Sequence, residues 1–289
     1  MTKRLLKKLF SLLAQPYRKH RARKLAKRLT SHESEKIKAI GYALEDTLNR
    51  HFTAEEQTLI EAVEQRRSKL LNSEEEIAVI DYGAGRPNSN RNNEEMEQGI
   101  LSTAPVAKLC KASKSKFWAI FLFKLIRRLT PLSCVELGSC VGISASYQAS
   151  ALKLNGAGWL TTLEGSPKIA KIARESLQCL NLENVSVITG PFHETFKGVL
   201  ESSIPVDFFF NDGHHDHDAV LRYFREALPY LTKDSVIVFD DISWSSGMRK
   251  AWLTIENDDR VATTIDLGNI GIAVMGKSLS IKNKFRAAL

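Results

Sequence analysis

Cysteine is scarce in this chain. Cys110, Cys134, Cys140 and Cys179 are the only four in 289 residues, too few and too scattered for a disulfide scaffold. No Cys-x-x-Cys pair exists, so a structural zinc site is not expected, and reduced thiols in a cytosolic setting are. Long hydrophobic runs are also missing. The strongest, Phe117 to Phe123, falls far short of the ~20 residues that a membrane span needs. The apolar stretch Leu9–Ala14 is short and runs into a second basic segment, which does not match a secretory leader. Acidic residues are absent from positions 1–29, which hold eleven Lys and Arg; the rest of the chain is slightly acidic, with 30 basic against 33 acidic residues. The net charge of +8 therefore describes an N-terminal arm. A hydrophobic share of 43% with 26% charged residues excludes a disordered chain and a fibre.

In the arm, Leu5, Leu6, Leu9, Phe10, Leu12 and Leu13 share one helical face opposite Lys3, Arg4, Lys7 and Lys8. Pro16 is expected to break the helix, and a second basic helix then presents Ala22, Leu25, Ala26 and Leu29. Such helices suit an anionic membrane surface or a nucleic-acid backbone, and equally an apolar stripe docked on its own domain. Residues 31–72 read as helix, Ile77–Tyr82 as a short strand, and the glycines of Asp81-Tyr82-Gly83-Ala84-Gly85 as a turn without assigned chemistry. Three segments are expected: the arm (1–30), a helical extension or cap (31–100) and a main domain (101–289).

After Pro131 short apolar runs alternate with helical segments. Strands are expected near Cys134–Leu137, Trp159–Leu163, Val185–Thr189, Val206–Phe210, Val236–Phe239, Val261–Asp266 and Ile270–Met275. This alternation predicts an α/β fold with a doubly wound, seven-stranded, mostly parallel sheet and right-handed crossovers. Only Leu267, Gly268 and Asn269 separate the last two strands, so one of them should be antiparallel. Ligands of such sheets sit beyond the carboxyl ends of the strands.

Two strand ends read as a nucleoside site. Glu136-Leu137-Gly138-Ser139-Cys140-Val141-Gly142 offers a glycine turn at a helix N-terminus, with Cys140 and Ile143 where the dinucleotide fingerprint would require glycines. The next strand ends in Glu164, a carboxylate placed to accept from two ribose hydroxyls, or else an ordinary helix cap. Farther on, Asp212-Gly213-His214-His215-Asp216-His217 follows one strand and Asp240-Asp241 the next. Clustered carboxylates at adjacent strand ends call for a cation, and oxygen ligands suit Mg²⁺ or another hard divalent ion; the alternative is that they cap helices or bind amides. His215 is placed to take a proton from a hydroxyl, with His214 and His217 as competitors and a structural role preferred for His217.

Together, Val135-Glu136-Leu137-Gly138-x3-Gly142 and Leu163-Glu164 resemble the first two motifs of class I S-adenosylmethionine-dependent methyltransferases over about residues 101–276. Asp212 with Asp240-Asp241 resembles the catechol O-methyltransferase-like branch, and Asp212-Gly213-x-His215 a bacterial Asp-Gly-x-His group. The resemblance implies that Glu136, Gly138, Ser139, Gly142, Glu164 and Asp212 hold S-adenosylmethionine. It implies that Asp212, Asp240 and Asp241 hold a divalent ion, and that the methyl passes to a small-molecule hydroxyl. Catechol-type enzymes carry Lys three residues after the Asp, where this chain has His215, so His215 with Asp212 forms the expected catalytic pair, and Trp244 is placed to line the acceptor pocket. Recruitment of RNA by the arm, or nucleoside binding without catalysis, are the alternatives. A cytoplasmic enzyme, peripheral to a membrane through its arm and paired with a second copy, completes the expectation.

Overall fold

The computed structural model describes residues 3–85, 91–276 and 282–289; the side chains of residues 3–15 and of residue 93 lie outside that description, and with them the apolar face expected from Leu5 to Leu13. Helices α1 (Lys3–Thr30), α2 (Glu35–Asn49) and α3 (Ala54–Leu71) come first. A hairpin region follows: β1 (Glu76–Asp81), α4 (Asn93–Gln98) and β2 (Ile100–Pro105), then α5 (Val106–Ala112) and α6 (Lys116–Leu129). The alternating part runs β3 (Ser133–Leu137), α7 (Ile143–Asn155), β4 (Trp159–Glu164), α8 (Pro167–Cys179), β5 (Val185–Thr189), α9 (Phe192–Ser202) and β6 (Val206–Asn211). It ends with α10 (His217–Ala227), β7 (Leu231–Phe239), α11 (Ser246–Asn257), β8 (Val261–Asp266), β9 (Gly271–Met275) and β10 (Asn283–Arg286).

The main sheet has the order β10-β8-β9-β7-β6-β3-β4-β5, parallel except for β9, which pairs antiparallel with both β7 and β8. The expected final hairpin is present, and a short eighth strand, β10, adds parallel to β8. Both faces are buried, as parallel strands require. Phe208, Phe210, Val236 and Val238 face one core layer, while Phe209, Ile237 and Phe239 face the other. Strand order reverses at β3, which lies between β4 and β6, so a crevice opens at the carboxyl ends of these strands.

The extension differs from expectation in three ways. The helix α1 continues through Pro16, because one missing donor removes a single hydrogen bond that the flanking turns outlast. The helix expected over residues 31–72 divides at Arg50, whose left-handed φ of 55° ends α2, while a Thr53–Glu56 capping box starts α3. The strand β1 finds a partner, β2, in register from Glu76 opposite Pro105 to Asp81 opposite Ile100. The stripe Ala22, Leu25, Ala26 and Leu29 is buried against the chain's own helices, and one core layer runs without interruption from Leu25 to the sheet.

Candidate active site

Gly138 closes β3 with φ +94°, and a Cβ there would meet the Asp212 carbonyl oxygen at 2.5 Å. Only a bare α-carbon lets the end of β6 pass so close, and this approach brings the two strand ends into one site. Gly142, at φ +85°, starts α7 with its α-carbon against Ala173 of α8. Both glycines serve the turn; Gly142 supports packing and does not line the crevice. Replacing Gly138 with Ala is expected to cost about 2–4 kcal/mol, from the left-handed backbone and the forced contact. Urea denaturation measures it, and a loss below 1 kcal/mol would show that the turn relaxes freely.

Glu164 ends β4 with Oε2 accepting from the Cys140 amide (2.9 Å) and Oε1 from the Ser166 amide (3.0 Å). Burial pushes its carboxyl up to about 7 against these two hydrogen bonds, with Asp81 adding repulsion. Above it, Tyr82 from the hairpin covers Gly165, whose Cβ would strike the tyrosine ring at 2.6 Å, and the Ile80 amide donates to Ser166 Oγ (3.3 Å). Ser139 lines the same space with a buried hydroxyl that meets no hydrogen-bond partner among the described residues. Glu136 departs from its expected place. It is fully buried behind the turn, accepting from Thr162 Oγ1 (2.6 Å) and Gln148 Nε2 (2.8 Å), and burial raises it to about 7. Its carboxylate is tied to β4 and α7, and it does not line the cavity.

At the other end of the crevice, His214 and His215 have consecutive left-handed φ angles of 67° and 45°, a strained turn held by the Ala84 amide donating to His214 O (3.0 Å). The flip separates the histidines. His214 Nδ1 pairs with the Tyr223 hydroxyl (2.9 Å), and burial holds its imidazole down at about 4, so it stays neutral at pH 7. His215 Nε2 lies 3.3 Å from Asp212 Oδ1, its ring 5.8 Å from that of Trp244. Asp216 caps α10 by accepting from the amides of Asp218 and Ala219, and His217 pairs with Asp218 (2.7 Å). One cavity of about 440 Å³ joins Gly138, Ser139, Cys140, Glu164, Asp212 and His215.

A methyltransferase domain family matches residues 135–242, the span from the glycine turn to just past the acidic pair. The O-methyltransferase from Bacillus cereus, solved in complex with SAH, superposes with a TM-score of 0.52 at 26% identity, over 58% of this chain and 85% of that one. The Podospora anserina methyltransferase PaMTH1, also SAH-bound, gives 0.51 at 19% identity over 57% and 81%, which speaks for the fold alone. No curated protein matches the sequence. The chain carries a methyltransferase domain over residues 135–242.

Beside this methyltransferase domain's acidic cluster the sequence reading missed Lys114, at the junction of α5 and α6. Its side chain is buried, its Nζ is 3.5 Å from Asp212 Oδ2, and it makes a direct ion pair with Asp240 Oδ2. Tyr82, roofing the crevice, was missed as well. Lys114 belongs to a run with Lys108, Lys111 and Lys116, and nothing in that run distinguishes one buried lysine from its solvated neighbours.

The expected trio of ion ligands is also changed. Ligand atoms of Asp212, His215 and Asp240 lie within 4.8 Å of one another, and Asp241 is not among them. Asp241 takes a left-handed φ of 51° that turns the chain away toward Trp244, while Asp240 stays buried at the strand end. A resident divalent ion fits this arrangement poorly: Mg²⁺ needs near-octahedral oxygens at about 2.1 Å, and the space between Asp212 and Asp240 holds an ammonium.

Proposed function

We propose that the domain moves the methyl group of S-adenosylmethionine to a hydroxyl oxygen of a small molecule. The observation that carries this reading is the single cavity with a ribose-suited carboxylate, Glu164, at one end and a histidine–aspartate pair at the other. A solved relative at 26% identity, that from Bacillus cereus, is an O-methyltransferase, which supports oxygen as the acceptor atom. In this reading the glycine turn and Ser139 hold the methionine end and Glu164 the ribose. Asp212 orients His215, and His215 removes the hydroxyl proton as the oxygen attacks the sulfonium methyl. The protein's main contributions are alignment and exclusion of water, since the cofactor supplies the activated group.

Methyl transfer from labelled S-adenosylmethionine to a panel of phenols and alcohols tests this. The expected result is transfer by the full chain, falling about 100-fold in His215→Ala while S-adenosylhomocysteine affinity changes less than threefold. Transfer that survives His215→Ala unchanged would remove the base assignment. Absence of nucleoside binding by the wild type would overturn the reading.

Over residues 16–30 the apolar stripe of the arm is docked on the chain's own helices. With Ala22, Leu25, Ala26 and Leu29 buried, residues 16–30 keep no apolar stripe for a bilayer. Arg18, Lys19, Arg21, Arg23, Lys24, Lys27 and Arg28 remain exposed, which supports contact with an anionic partner through charge.

A further inference from the structure

We propose that Lys114 takes the place of a divalent ion in this site, so that the domain transfers methyl groups without metal and acts on a single hydroxyl instead of a chelating pair. The proposal rests on the methyltransferase reading for the position of the acceptor, and on its own observations for the cation.

Asp240 is 1% exposed, and neither of its oxygens accepts a hydrogen bond from a described N–H or O–H beyond the Lys114 ammonium. Asp212 is largely buried beside it. Two carboxylates this close and this dry repel unless a cation stands between them. Lys114 is itself only 8% exposed, so its charge is as costly to bury as theirs. The ammonium offsets the repulsion of the two carboxylates, and removing Lys114 leaves both of them buried without a cation. A divalent ion bound to Asp212 and Asp240 would have to occupy the volume of the ammonium or sit against it, cation on cation. Asp241, which would add charge to favour the ion, faces elsewhere.

An ammonium and a divalent ion do different chemistry at the same spot. A metal with open positions can take two vicinal oxygens at once; an ammonium already bonded to two carboxylates has one donor direction left. Lys114 lines the cavity beside His215, so that donor is directed to one acceptor oxygen. In the step so arranged, the acceptor O–H gives its proton to the His215 imidazole, and a lone pair of that oxygen forms the new bond to the methyl carbon. The carbon–sulfur bond breaks and its electron pair returns to sulfur, leaving neutral S-adenosylhomocysteine, a methyl ether and an imidazolium. No oxidant, reductant or second ion enters the balance.

The test uses Mn²⁺ alone as the probe. The paramagnetic signal of free Mn²⁺ is titrated with the full chain as wild type, Lys114→Met, and Lys114→Met combined with Asp240→Asn; S-adenosylhomocysteine titration of each reports that the cofactor end is intact. The expected result is no Mn²⁺ binding by the wild type below millimolar, binding at least tenfold tighter in Lys114→Met, and loss of that binding in the double variant. In parallel, wild-type methyl transfer should be unchanged by a chelator and by added Mg²⁺. Micromolar Mn²⁺ binding by the wild type that Asp240→Asn removes would overturn the proposal, as would activity lost to the chelator and restored by Mg²⁺. Failure of Lys114→Met to bind Mn²⁺ while still binding S-adenosylhomocysteine would overturn it too, because the carboxylates would then form no cation site. If Lys114→Met does not fold, Lys114→Gln and the wild-type chelator experiment decide. Failure of the methyltransferase reading itself shows separately, as absent nucleoside binding in the wild type.

Discussion

Glu164→Ala should weaken S-adenosylhomocysteine binding by about 3–4 kcal/mol, several hundredfold. The carboxylate already accepts from the amides of Cys140 and Ser166, and each oxygen keeps a free lone pair toward the cavity, enough for two ribose hydroxyls. Truncation removes both prospective bonds and leaves two loop amides to water. The charge matters as well as the shape. Burial holds this carboxyl up to about 7, so near neutrality half the molecules carry a proton that blocks acceptance. Ribose binding favours the ionised form, and affinity should therefore climb as pH rises through 7, roughly tenfold between pH 6 and pH 8. Glu164→Gln should bind weakly and flatly across that range. Calorimetric titration at three pH values measures both effects. A pH slope that persists in Glu164→Gln would move its origin to Glu136, the other carboxyl held near 7.

The largest loss of stability is expected outside the cavity, between α3 and α6. Glu56 is 4% exposed and accepts from Lys124 Nζ (2.6 Å) and Arg127 Nε (3.1 Å), while its Oε2 also closes the capping box of α3 by accepting from the Thr53 amide (3.1 Å). Glu56→Ala strips the cap and leaves Lys124 buried without its carboxylate, a loss of about 3–5 kcal/mol. Burial alone would raise the Glu56 carboxyl, but the hydrogen bonds from Lys124, Thr53 and Arg127 outweigh it and leave it below the usual 4.5. A lowered folded value means that the stabilisation is present above about 4.5 and is lost as pH falls through the folded value. Urea midpoints at pH 7 and pH 3.5 should therefore lie far apart for the wild type and closer together for Glu56→Ala. Equal midpoints for the two proteins at pH 7 would show that the network contributes nothing net.

The sheet and the strand ends that line the cavity were legible because strand ends carry their meaning locally. Gly138, Ser139 and Glu164 sit where a strand stops and a helix begins, and the strand pattern alone places them at the crevice. Asp212 and Asp240 were placed by the same logic. Asp241 and Glu136 were not, since a backbone turn at φ 51° and the inward direction of one β3 side chain decide their surroundings. Lys114 and Tyr82 were out of reach for another reason: both precede β3, outside the strand–helix alternation, and only tertiary packing brings them over the strand ends. The helix α9 went unread because a run beginning Gly190-Pro191 looks like a turn, although Pro191 in fact serves as its N-cap.

The hydrogen bond from Ala84 to His214 joins the hairpin that roofs the cavity to the turn that carries His215. Because Tyr82 lies two residues away over Gly165, any displacement of the roof would be transmitted to the turn that carries His215. If His215 is the base of the proposed reaction, its alignment with Asp212 and the position of the roof are then mechanically coupled through this one hydrogen bond. A slower roof would register in kcat, with the chemical step unaltered.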